Sequence, residues 1–135
     1  MGDVQRFVDA QERVMARVRE ELKAGRKASH WMWFVFPQIA GLGRSETARH
    51  YAIATVEEAR AYAAHPVLGP RLRECVKLVL AVPGGSAQEI FGTPDDLKFR
   101  SCMTLFARAT GDALFHQALE KFYGGEEDGE TVKRL

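Results

Sequence analysis

What this chain lacks narrows the field first. It has two cysteines, Cys75 and Cys102, too few for a disulfide framework, and both fall in apolar helical patterns. Each therefore reads as a small buried hydrophobe. No apolar run approaches the roughly 20 residues needed to span a bilayer. The opening Met1-Gly2-Asp3-Val4-Gln5-Arg6 has no basic segment leading into an apolar one, so nothing there reads as a secretory signal. The expectation is a cytoplasmic protein with no membrane association. Charge is also without excess: 19 basic against 18 acidic residues leave a formal net +1, whereas a nucleic-acid binder is usually strongly basic. That balance, with acids interspersed among the bases, disfavours nucleic acid as a partner.

Other signatures are missing as well. No grouping of His, Cys, Asp and Glu has the spacing of a zinc or iron site. No nucleophile-elbow sequence is present, and neither cysteine has a neighbour that clearly activates it. No metal and no cofactor is called for, and whether the protein is an enzyme stays open. There is no internal repeat, low-complexity stretch or interdomain linker. Strict alternation is absent too. The nearest strand candidate, 35–39, is spoiled as a central strand by Pro37.

What is present is helical periodicity. At 135 residues the chain is of single-domain length. Val4, Phe7, Val8, Gln11, Val14, Met15, Val18 and Leu22 follow the spacing of one long amphipathic helix, with Asp3 able to cap its start and Gly25 its end. Its remaining face of Arg, Glu, Asp and Lys reads as solvated. Ser29 can cap a short helix that ends near Phe36, because Pro37 pushes the residue before it out of helical geometry. Ser45 is a good cap for a helix over about 46–53, and Thr55 with Glu58 has capping-box spacing. Leu68, Leu72, Cys75, Val76, Val79 and Leu80 give the next buried face, with Gly69-Pro70 delaying regular helix to about residue 70. Ser86 can cap a single turn ending at Gly92. Thr93-Pro94-Asp95-Asp96 is a strong helix start, with Leu97, Met103, Leu105 and Phe106 on or near its apolar side. Gly111 interrupts the pattern, Leu114 to Phe122 resume it, and Asp128 can cap a last turn. The prediction is an all-α single domain, 1–135, in a compact bundle of about six or seven helices.

The most informative stretch is His30-Trp31-Met32-Trp33-Phe34-Val35-Phe36-Pro37-Gln38, followed by Gly41-Leu42-Gly43-Arg44-Ser45. It holds both tryptophans. Aromatic residues this dense bury large areas, and their indole N–H groups need partners. The segment reads as the centre of the core, the wall of a pocket, or both. In a helix Trp31 and Trp33 point to different faces, so only one of them is expected to line any pocket.

Several residues here have ligand-binding chemistry. Gly43, Arg44 and Ser45 have the outline of an anion site: a glycine turn able to aim backbone N–H groups into a concavity, a helix start, and a planar guanidinium. The spacing is not that of a P-loop. His30 can move protons and Gln38 can offer a donor and an acceptor. Further along, Asp95 and Lys98 open a helix. Asp95 is a candidate acid or base and Lys98 a candidate partner for an anion, provided they fold back beside 30–45. The plain alternative is that the glycines serve turn geometry, the aromatics are core, and the acids complement a helix dipole.

Ser29-His30-Trp31-Met32-Trp33-Phe34-Val35-Phe36-Pro37-Gln38, then Gly41-Leu42-Gly43 and Tyr51-Ala52-Ile53, resembles the signature of the bacterial DUF1810 family. Further matches are His65-Pro66-Val67-Leu68-Gly69-Pro70, Ile90-Phe91-Gly92, Asp95-Asp96-Leu97-Lys98, Met103-Thr104-Leu105-Phe106 and Asp128-Gly129-Glu130-Thr131. The resemblance implies a small, all-helical, cytosolic-type protein and names no activity. Some members have carried the label calpastatin, but calpain inhibition calls for a long disordered inhibitor rather than a compact domain. One departure is Cys102, where related sequences more often carry Ser, which speaks against an essential hydroxyl there.

The leading expectation is a pocket for a small anionic, partly flat ligand, nucleotide-like or ADP-ribose-like. Trp31 or Trp33 stacks on it, Gln38 and His30 hydrogen-bond, and Gly43, Arg44, Ser45 and Lys98 hold the anion. If the ligand is hydrolysed or a group is transferred, His30 or Asp95 is the acid or base. The rival is a non-catalytic protein-interaction module whose aromatic cluster is purely structural. A pocket requires His30, Gln38 and Arg44 to converge on one concave surface; an interaction module lets them diverge.

Overall fold

A computed structural model describes residues 4–135. Asp3, the expected first cap, lies outside them. The described chain is all-helical, with ten helices rather than six or seven, of which six have seven residues or more. In chain order they are α1 (Gln5–Glu12), α2 (Met15–Lys23), α3 (Met32–Val35), α4 (Glu46–His50), α5 (Val56–Ala64), α6 (Leu68–Leu80), α7 (Ala87–Phe91), α8 (Asp95–Thr110), α9 (Ala113–Tyr123) and α10 (Gly129–Lys133).

The count differs partly because the first predicted helix is two. It breaks at Arg13-Val14, since its halves pack on different neighbours, α1 against α3 and α2 against α6. Gln11 belongs to the first half and is buried. Its amide donates to the carbonyl of Phe34 at 2.6 Å and to the Tyr62 hydroxyl at 2.9 Å. α6 begins at Leu68, two residues earlier than expected. Pro70 costs nothing there, because the first-turn N–H groups of a helix have no intrahelical acceptor. The imidazole Nδ1 of His65 accepts from the N–H groups of Val67 and Leu68 instead.

α8 is the central element. Phe99, Ser101 to Ala107 and Ala109 are all buried, with α5, α7, α9 and α10 packed around them. Leu97, placed by its spacing near the apolar side, is instead 53% exposed. Aromatic rings fill the space between α8 and the 30–45 segment. Phe36 meets Phe99 edge-on at 5.0 Å and Phe91 at 5.8 Å, and Phe91 stacks on Phe99 at 4.7 Å. Such geometries match the ring quadrupole. The one β-type contact among the described residues is an isolated parallel bridge between Ile39 and Ile53.

The tryptophan segment is held by a carboxylate. Glu21 of α2 accepts from the N–H groups of Ala28 and Ser29, the Ser29 hydroxyl and the Trp31 indole N–H, at 2.6–3.0 Å. Ser29 is thus engaged with Glu21 rather than capping a helix, and α3 starts after Trp31 without a side-chain cap. Burial pushes the Glu21 carboxyl up, but these hydrogen bonds outweigh it and hold the group at about 2, against an ordinary 4.5. A group depressed in this way adds stability above pH 4.5 that drains as the pH falls toward 2. Replacing Glu21 by Gln is expected to cost on the order of 1–3 kcal/mol, reduced by the solvent contact the clasp retains. It should also flatten the acid limb of the stability curve, as followed by thermal melts between pH 2 and 6.

Burial pushes the Cys75 thiol up to about 12 and raises that of Cys102 well above its usual range. Neither forms a disulfide. Because the thiolate is the reactive form, an aromatic disulfide reagent should label neither in the native protein and both after denaturation.

Candidate functional site

Three parts of the chain meet in a cleft of about 490 Å³. The first wall runs from Trp33 through Gln38 and Ile39 to Leu42, Gly43, Arg44 and Ser45. Ala48, Tyr51 and Ala52 continue it. The second wall is the start of α8, with Pro94, Leu97, Lys98 and Ser101. Asp128 and Glu130 of the C-terminal segment form the third.

Local structure explains the first wall. The Ile39–Ile53 bridge ties its ends together: the Ala40 N–H donates to Ile53 O and the Ile53 N–H to Gln38 O, both at 2.8 Å. The Gln38 backbone is thereby fixed, while its side-chain amide has no hydrogen bond among the described residues and borders the cleft. Ser45 caps α4 as expected, its hydroxyl accepting from the Ala48 N–H at 3.0 Å. The two glycines divide their work differently from the sequence reading. Gly41, not Gly43, has a positive φ, +99°, and the Arg134 guanidinium lies against its Cα. Gly43 is required for closeness: a Cβ there would sit 2.5 Å from the Ala48 methyl. Its part in the cleft is to let the 41–45 turn pack onto α4.

The tryptophans separate as their spacing requires. Trp31 is completely buried, with its N–H on Glu21, and takes no part in the cleft. Trp33 is half-buried and lines it. The Lys98 ammonium stands over the Trp33 ring, 5.0 Å from its centroid. Lys98 also pairs with Asp95 at 3.3 Å, and the other oxygen of Asp95 pairs with Lys27 at 2.8 Å. Asp95 is therefore a bridge between two ammonium groups. It neutralises Lys27, whose side chain is only 8% exposed, and does not line the cleft. His30 is exposed and also lies outside the lining. Of the nine residues singled out in the sequence, Trp33, Gln38, Gly43, Arg44, Ser45 and Lys98 come together, whereas His30, Trp31 and Asp95 do not.

Sequence spacing does not reveal the third wall. Residue chemistry predicts Asp128 as a helix cap, which it is: its Oδ2 accepts from the Thr131 N–H and hydroxyl and from the Ser101 hydroxyl. The Asp128 N–H donates to Thr104 Oγ1 at 2.9 Å. Arg100 binds the carbonyls of Glu126 and Glu127 and the Glu126 carboxylate, completing the attachment of the tail to α8. The available signal was that Asp128-Gly129-Glu130-Thr131 and Tyr51-Ala52-Ile53 carry the family resemblance while contributing little to apolar periodicity.

Electrostatically the cleft is mixed. Arg44 is exposed and has no ion pair among the described residues. Lys98 and Glu130 are paired, Glu130 with Lys133 and Arg134. A flat ring can lie against Trp33, an anion can meet the Arg44 fork, and an amide or base edge can meet Gln38. Among the described residues no group of three or more acidic, His or Cys side chains is placed to hold a metal ion, and no helix is long and apolar enough to cross a membrane.

The comparisons agree with the motif resemblance. Among solved structures, the conserved hypothetical protein Rv1873 from Mycobacterium tuberculosis is 58% identical, with 98% of this chain and 96% of that one covered and a TM-score of 0.97. No curated protein matches the chain. The family described as "Protein of unknown function (DUF1810)" matches residues 1–135, and the chain belongs to it.

Proposed function

We propose that the cleft binds a small anionic ligand with a flat moiety, of the nucleotide or ADP-ribose type. The observation that carries this reading is convergence: Trp33, Gln38, Arg44 and Lys98, drawn from segments some sixty residues apart, border one concavity. The ring of the ligand stacks on Trp33, Gln38 hydrogen-bonds its edge, and Arg44 and Lys98 meet its anion. Lys98 already rests over the Trp33 face, so an entering ring exchanges a cation–π contact for stacking and releases the ammonium toward the anion. Among the described residues the large exposed hydrophobic side chains are only two, Leu97 on the wall of the cleft and Leu135 outside its lining, too few to make a broad apolar face. That distribution favours a pocket over a flat protein-interaction face.

The reading is one of binding. Hydrolysis or transfer through His30 or Asp95 finds little support, with His30 outside the lining and both oxygens of Asp95 in ion pairs.

Isothermal titration with phosphate, AMP, ADP and ADP-ribose tests the proposal. At least one nucleotide should bind, and it should quench the emission of Trp33 while leaving that of buried Trp31. Arg44→Ala should weaken it about tenfold to a hundredfold, the worth of a charge-assisted hydrogen bond. Trp33→Leu should cost about 1–3 kcal/mol of stacking. Absence of binding across the panel, or an Arg44→Ala variant with undiminished affinity, refutes it.

A further inference from the structure

An anion site alone leaves one wall of the cleft unexplained. Asp128 lines the same concavity as Arg44 and Lys98, and a carboxylate facing an anion opposes its binding. Its two oxygens are not equivalent. Oδ2 accepts from Ser101, the Thr131 N–H and the Thr131 hydroxyl, whereas Oδ1 has no partner among the described residues. The side chain cannot swing away, because α10 depends on it as a cap and its own N–H is held by Thr104. The result is a fixed carboxylate with one unused acceptor oxygen, on a residue that lines the cleft together with Arg44 and Lys98. A cation is a poor occupant there, since it would also face Arg44 and Lys98. A neutral donor is a good one, because it satisfies the oxygen without adding charge.

We propose that Asp128 is a specificity-determining residue that accepts a hydrogen bond from a hydroxyl or amino group of the ligand, so that the cleft selects a nucleotide over a simple anion. This rests on the anion-cleft reading above and adds a second requirement to it. The ligand carries a donor as well as a negative charge. In a nucleotide the donor is either a ribose hydroxyl or an exocyclic base amine. Glu130 does not compete for the role, because Lys133 and Arg134 already occupy it.

The experiment compares pyrophosphate, ADP, 2′,3′-dideoxyADP and purine riboside diphosphate, by calorimetry, on the wild-type chain and on Asp128→Asn. The amide oxygen of Asn can keep the three bonds made by Oδ2, while its NH₂ replaces the acceptor with a donor. Wild type should bind ADP more tightly than pyrophosphate. Asp128→Asn should lose about tenfold or more for ADP and keep or improve its affinity for pyrophosphate. On wild type, weakening with the dideoxy compound assigns the donor to the ribose, and weakening with purine riboside diphosphate assigns it to the base amine. Should circular dichroism show Asp128→Asn unfolded, these two analogues decide alone, and full affinity for both overturns the assignment. Equal affinity of wild type for pyrophosphate and ADP, or a folded Asp128→Asn with full ADP affinity, overturns it and leaves the anion cleft standing. Wild type that binds neither overturns both.

Discussion

Glu21 holds the part of the molecule on which the cleft is built. Its carboxylate gathers two backbone N–H groups, a hydroxyl and the Trp31 indole N–H from a segment with no regular structure of its own. Without it the indole N–H of the fully buried Trp31 would lose its partner, at a cost comparable to the hydrogen bond itself. With Trp31 drawn inward, Met32 to Val35 wind a single turn that turns Trp33 the other way, toward the cleft. Orientation of the cleft tryptophan thus follows from an interaction made by a different one.

A similar economy governs the basic residues. Arg6 donates to the carbonyls of His50 and Ala52 at the end of α4, Arg73 to Ala63 near the end of α5, Lys121 to Leu80 at the end of α6, and Arg60 to Ala109 near the end of α8. Terminal carbonyls have no intrahelical donor and carry the negative end of the helix dipole, so a cation from a neighbouring helix satisfies both needs. These four cations fasten helix ends to one another. Several of the cations are thus structural, whereas Arg44 borders the cleft without an ion pair among the described residues.

The cleft reflects the same division between fastening and function. Ser45 is a cap, Gly43 is a spacer against Ala48, and Asp95 is a bridge between Lys27 and Lys98. These residues shape the site through structural roles. Among the described residues, side chains left with unused polar capacity at its walls include Gln38, the Tyr51 hydroxyl, Arg44 and one oxygen of Asp128. Their juxtaposition combines positive charge, an amide and a fixed acceptor beside an aromatic face, a composition suited to a polar, partly flat molecule.

Apolar spacing and cap residues were sufficient to read the helical class and most element positions from sequence, since both signals are local. Ser45, Thr55, Ser86 and Asp128 cap where residue chemistry says they should, and Gly111 parts α8 from α9. Helical geometry also required Trp31 and Trp33 to face apart. Which of the two turns inward was decided only in three dimensions, by Glu21, whose charged helical face looks solvated in one dimension. The break at Arg13-Val14, the exposure of Leu97 and the return of Asp128 to α8 have the same origin. Each depends on partners distant in sequence, and periodicity reports how a residue faces its own helix, not what that face will meet.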